Sequence, residues 1–131
     1  MRGKMAKKLL MIDDQAGITR VVELIARQLG MEFRAVNSSL AATEAFIDYR
    51  PDVVILDMIM PEKDGIDVLN EILCIDTSAR IVLTSGFGEG FLRLAKGVAV
   101  LHDAERISVL QKPFRRNELV RLLKGIADEQ S

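Results

Sequence analysis

Val53-Val54-Ile55-Leu56-Asp57 places four consecutive apolar residues directly before a carboxylate. A run with no polar interruption does not suit a strand with one wet face. It suits a central strand of a parallel sheet, covered by helices on both sides. Leu9-Leu10-Met11-Ile12 repeats the pattern and ends on Asp13-Asp14, and Ile81-Val82-Leu83 repeats it again and ends on Thr84-Ser85. Phe33 to Val36 and Ser108 to Leu110 are weaker runs that suit flanking strands. The segments between these runs are amphipathic. Ile18, Val21, Val22, Leu24, Ile25 and Leu29 recur at helical spacing and stop at Gly30. Ser39 is placed to cap a second helix running to Tyr49, ahead of Pro51, and Gly65 to Ile75 forms a third. Glu89 to Arg106 reads as one further helix, and Arg115 to Ala127 closes the chain with Leu119, Leu122, Leu123 and Ile126 on one stripe. Strand and helix thus alternate five times, the pattern of a doubly wound α/β fold with a five-stranded parallel sheet.

Composition bounds what such a fold does here. The 131 residues leave room for one domain, 1–131, whose core needs no disulfide or structural metal, in keeping with the single Cys74. Eighteen Lys and Arg against nineteen Asp and Glu give a net charge of −1, so no global attraction draws nucleic acid or an acidic membrane to it. Residues 1–7 are charged but patternless, and are expected to lie outside the fold. The apolar run behind them stops after Ile12, too short for export, and nothing approaches a membrane span; the expected location is the cytoplasm.

The polar residues that end the strands fall at one edge. In a doubly wound sheet the ligand site lies beyond the carboxyl ends of the strands, where strand order reverses. Asp13 and Asp14 end the first strand, Asp57 the third, Thr84 and Ser85 the fourth, and Lys112 follows the fifth. Taken singly, an Asp-Asp pair is a turn or a helix cap and a Lys-Pro pair is a solvated turn. Together, three carboxylates repel one another unless a cation sits among them. All the donors are hard oxygens, so magnesium fits, held by Asp14, Asp57 and the backbone carbonyl of Ile59, with Asp13 acting through water. Lys112 and Thr84 would then neutralise and hydrogen-bond two further oxygens of a phosphoryl group, with Asp57 as its acceptor.

Leu56-Asp57-Met58-Ile59-Met60-Pro61-Glu62-Lys63-Asp64-Gly65 adds a specific motif to this arrangement, beside Leu83-Thr84-Ser85-Gly86 and Lys112-Pro113-Phe114. On these residues the chain resembles, over almost its whole length, the receiver domain of two-component response regulators. The resemblance implies a flavodoxin-like sheet of order 2-1-3-4-5. It also implies magnesium-dependent transfer of a phosphoryl group to Asp57 from the phosphohistidine of a sensor histidine kinase or a phosphotransfer protein. Such a chain phosphorylates itself and loses the group by slow hydrolysis, a signalling domain rather than an enzyme with a separate substrate. It signals to a protein target, and can pair with a second copy, through the face built by the Glu89–Arg106 helix, the fifth strand and the last helix. The Lys112–Pro113 peptide is expected to be cis.

The chain departs from the family pattern in two places. Val109 stands where an aromatic residue is usual, and 28 positions separate Thr84 from Lys112, a longer connection than usual. Phe91, Leu94 and Leu101 beside Arg115, Arg116 and Arg121 are a candidate docking face, though core packing and solvated arginines are the simpler reading. His102, the sole histidine, is expected at a helix end rather than in phosphoryl relay. Among other readings, an aspartate-nucleophile hydrolase of the haloacid-dehalogenase type wants an aspartate where Ile59 stands. A flavodoxin-type flavin binder wants a Ser/Thr/Gly-rich loop where Asp13-Asp14-Gln15 would repel phosphate. A degenerate receiver, binding partners without phosphorylation, is the remaining alternative.

Overall fold

The computed structural model describes residues 6–75, 78–86, 97 and 106–129. Five parallel strands, β1 (Lys8–Ile12), β2 (Glu32–Val36), β3 (Val53–Asp57), β4 (Arg80–Ser85) and β5 (Ile107–Gln111), lie in the order β2-β1-β3-β4-β5. The helices whose bounds lie among the described residues are α1 (Ala16–Gln28), α2 (Ala42–Tyr49), α3 (Gly65–Cys74) and α4 (Arg116–Ala127), and a 3-10 turn covers Ser39–Ala41. This is the expected sheet and the expected order. Apart from Gly97 and Arg106, the helix expected over Glu89–Arg106 lies outside the described residues, and with it Phe91, Leu94, Leu101 and His102. At the other end, the Lys7 carbonyl, just ahead of β1, accepts from the Glu32 N–H at 2.8 Å.

All five residues of β3 are buried because the strand lies between β1 and β4 and is covered on both faces. Val54 and Leu56 join Leu10, Ile12, Ile81 and Leu83 under Phe46 of α2 and Val68, Leu69 and Ile72 of α3. Val53 and Ile55 join Leu9, Met11 and Val82 under Val22, Ile25 and Ala26 of α1 and Leu119, Leu123 and Ile126 of α4. Each fully buried Leu or Ile contributes roughly 1.5–3 kcal/mol relative to exposure, which is why the central runs are uninterrupted. β2 and β5 are the sheet edges and keep exposed positions, which accounts for their weaker apolar pattern.

Helix ends follow local chemistry. α1 stops as expected at Gly30, whose φ of 77° is left-handed. The Gly30 N–H bonds the Arg27 carbonyl and the Met31 N–H bonds that of Ala26, a Schellman closure with Met31 buried behind it. The second helix begins differently from the expectation. The capping hydroxyl belongs to Ser38, which accepts from the Leu40 N–H, while Ser39 is buried and its Oγ accepts from the Lys63 N–H at 2.7 Å. The 3-10 turn starts one residue early, and that shift turns Ser39 inward.

Asp64 caps α3 by accepting from the Ile66 N–H, and Gly65 follows because no side chain fits there. A Cβ on Gly65 would stand 2.4 Å from Met58 Cα and 2.6 Å from the Met58 carbonyl oxygen, backbone atoms that cannot swing away. Gly65→Ala is therefore expected to destabilise the domain by about 1–3 kcal/mol. Gly125→Ala, at an α4 position with open space around it, should stabilise by about 0.4–1 kcal/mol. Urea unfolding of the two variants checks both signs.

Candidate functional site

Strand order reverses at β1, whose neighbours β2 and β3 lie on opposite sides, so a crevice opens beyond the carboxyl ends of β1 and β3. The register pairs Ile12 with Leu56, and the next residue of each strand is an aspartate. Asp13 and Asp57 are buried, Asp14 is exposed, and one carboxylate oxygen from each lies within 4.8 Å of the others. The acidic trio expected from the sequence is therefore a real cluster. Its donor set is all carboxylate oxygen, and its charge density suits a small hard divalent cation such as magnesium.

Lys112 enters this cluster from the loop after β5. The Lys112–Pro113 peptide is cis, as the resemblance implies. The ammonium donates to Asp13 Oδ2 at 2.8 Å, to Gln15 Oε1 at 2.9 Å and to Asp57 Oδ2 at 3.3 Å. Three partners satisfy its three protons. The other oxygens are held by backbone: Asp13 Oδ1 accepts from the Gln15 N–H at 2.8 Å, and Asp57 Oδ1 from the Ile59 N–H at 3.1 Å. Asp13 thus serves both readings weighed for it, closing a turn with one oxygen while facing the cluster with the other. Burial holds the Asp57 carboxyl above the usual aspartate range; the Ile59 N–H and the Lys112 charge pull it down without cancelling that effect, and the Asp13 charge adds to the rise.

Asp14, Gln15, Asp57, Ile59, Met60, Pro61, Gly86 and Lys112 line an open cleft of about 430 Å³. Thr84 is paired with Asp57 in the sheet register but is fully buried, and its hydroxyl donates a long 3.5 Å bond to the Leu56 carbonyl. The structure thus brings Asp13, Asp14, Asp57 and Lys112 together, sets Ile59 on the cleft wall, and leaves Thr84 one layer beneath. Two contributors were missed in the sequence. Gln15 was given no part in the site, yet its side chain is a partner of Lys112. Ser39 reads as a cap, yet it grips the loop after β3; hydroxyls at a helix start carry no sign of which backbone they will meet.

A sequence model described as the response regulator receiver domain matches residues 9–124. The chain belongs to this family. The chemotaxis protein CheY of Thermotoga maritima is 29% identical over 124 residues, covering 94% of this chain and 99% of that protein. Sporulation initiation phosphotransferase F of Bacillus subtilis is 36% identical over 119 residues, covering 88% of this chain and 89% of that protein. A CheY-like response regulator receiver domain protein from Methanospirillum hungatei superposes with a TM-score of 0.81 at 16% identity over 95% of each chain, a likeness of fold. This receiver domain is a two-component signalling module with a flavodoxin-like fold and an acidic pocket of Asp13, Asp14 and Asp57. Among the described residues, no helix is long and apolar enough to cross a membrane.

Proposed function

We propose that this receiver domain takes a phosphoryl group from a phosphohistidine onto Asp57 in a magnesium-dependent reaction and loses it by slow hydrolysis. The observation that carries this reading is the placement of Asp57, whose carboxylate is held by the Ile59 N–H and the Lys112 ammonium and lies beside the carboxylates of Asp13 and Asp14 at an open cleft. Asp14, Asp57 and the Ile59 carbonyl would hold the metal directly, and Asp13 through water. When bound, magnesium supplies the positive charge that lets three carboxylates share one site and neutralises a phosphoryl oxygen.

The chain's own residues do the rest. Asp57 contributes the attacking carboxylate oxygen, and the phosphorus–nitrogen bond of the donor breaks as the acyl phosphate forms. The backbone N–H of Ile59 fixes the other oxygen and so aims the nucleophile. Lys112, already within reach of Asp57, neutralises a second phosphoryl oxygen. Thr84 donates to the third once its hydroxyl leaves the long contact to Leu56, which costs little because that bond is weak.

A protein donor has room to dock beside the site. Gly17, Ile18, Val21, Pro113 and Phe114 form an apolar hollow of about 210 Å³ that ends on Lys112, and Val21 and Leu24 on the same helix are exposed. A histidine kinase or phosphotransfer protein seated there would carry its phosphohistidine to the cleft. The output is a protein target met through the β5 and α4 face, through which copies would also pair; no direct nucleic acid or membrane partner is proposed, and the setting is the cytoplasm. Arg116, one of three arginines named as candidates for that face, is exposed and donates to Gln28 of α1 at 2.6 Å.

Intact mass after incubation with acetyl phosphate or phosphoramidate tests the reading. A gain of about 80 Da that requires magnesium and is lost in Asp57→Asn is the expected result. The absence of any adduct under conditions that trap short-lived species would favour the degenerate interaction module.

A further inference from the structure

The loop from Met58 to Asp64 carries Ile59, whose N–H aims Asp57, so its position sets the geometry of the cleft. Among the described residues, backbone bonds to other segments anchor only its two ends: the Met58 N–H reaches the Thr84 carbonyl at 2.9 Å and the Gly65 N–H returns to the Met58 carbonyl at 3.2 Å. Its middle is held from outside, by side chains at the start of the second helical segment. Ser39, 1% exposed, accepts from the Lys63 N–H at 2.7 Å, and Ser38 donates to Glu62 at 2.7 Å. The Lys63 ammonium pairs with Glu71 of α3, whose other oxygen accepts from the Thr43 hydroxyl of α2.

We infer that Ser39, supported by the Thr43–Glu71–Lys63 chain, is a positioning residue for phosphoryl transfer, holding the loop so that Ile59 and Asp57 present a preformed magnesium and phosphoryl site. The inference rests on the function proposed above. Its physical basis is the buried hydroxyl. Without it the Lys63 N–H loses its partner inside the protein, and the loop must shift to regain one from water. A metal ligand supported by one backbone segment is sensitive to that segment's placement, and loss of such support typically weakens metal binding by about 10–100-fold.

The test compares wild type, Ser39→Ala, Ser39→Thr, Glu71→Gln and, on the opposite face of the sheet, Ile126→Val as a packing control. Magnesium affinity is measured by calorimetry, and amide exchange of residues 58–64 by mass spectrometry in the metal-free protein. Ser39→Ala is expected to weaken magnesium binding about tenfold and to speed exchange in the loop while β1 and β3 keep their protection. Glu71→Gln should move both readouts the same way by less, Ser39→Thr should restore affinity, and Ile126→Val should leave affinity unchanged. Wild-type affinity and loop exchange in Ser39→Ala overturn the inference and leave the phosphoacceptor reading standing. A wild type that takes up neither magnesium nor a phosphoryl group overturns both. If Ser39→Ala does not fold, Glu71→Gln carries the comparison, and unchanged affinity there overturns the inference.

Discussion

Lys112→Ala is expected to cost the metal-free domain about 3–5 kcal/mol, the range for removing one partner of a buried ion pair. The Lys112 side chain is 10% exposed, and those of Asp13 and Asp57 are 0% and 5% exposed, so the pairs are largely shielded from solvent. Truncation leaves two neighbouring carboxylates with no cation between them. Lys112→Met, which keeps most of the apolar stem, separates charge from packing; it should lose nearly as much if charge dominates. Urea unfolding in a chelator measures the loss. Added magnesium should recover part of it in both variants, because the metal supplies the missing positive charge. A cost below about 1 kcal/mol, the scale of an exposed pair, would show that the carboxylates do not depend on Lys112.

Asp57→Asn is expected to have opposite effects with and without metal. Burial raises the Asp57 pKa, so the folded state binds a proton more tightly than the unfolded chain does. The sign follows from linkage: the group's contribution is fully present below the unfolded aspartate pKa and is lost as pH rises through the folded value. At neutral pH the ionised Asp57 therefore burdens the metal-free fold, and Asp57→Asn should raise stability there, with a gain that shrinks toward pH 4. With magnesium the order reverses. A ligand at a hundred times its dissociation constant stabilises the wild type by about 2.7 kcal/mol, most of which the variant should forgo along with the adduct. Thermal melts across pH, in chelator and in magnesium, check both arms; a variant less stable than wild type at pH 7 in chelator would contradict the burial argument.

These expectations rest on contacts that sequence reading approached unevenly. Asp13, Asp14, Asp57 and Lys112 were legible because each follows an apolar strand, and a parallel sheet delivers strand ends to one edge whatever the details of packing. Gly65 was legible as part of the motif around Asp57, but its reason emerges only from the close approach to the Met58 backbone. Ser39 was misjudged because a serine at a helix start reads as a local cap, whereas its partner, Lys63, lies 24 positions away. Gln15 was passed over because nothing near it in the chain points to its partner, Lys112, 97 positions away. Val109, one of the two departures from the family pattern, is a half-buried edge-strand residue packed against the core under α2 and α3.

The sequence by itself determined the α/β class, the central and edge strands, and the strand ends on which the acidic and basic groups sit. Periodicity decides these, because apolar side chains must be removed from water and a strand or helix can do so only at its own repeat. Tertiary structure alone decided how each oxygen and proton of the site is shared: one Asp13 oxygen on a turn and the other on Lys112, one Asp57 oxygen on Ile59 and the other on Lys112, and the Ser39 hydroxyl beneath the loop. Hydrogen bonds are directional and short, so they depend on where distant segments come to rest, and that placement is set by the whole core rather than by neighbours along the chain.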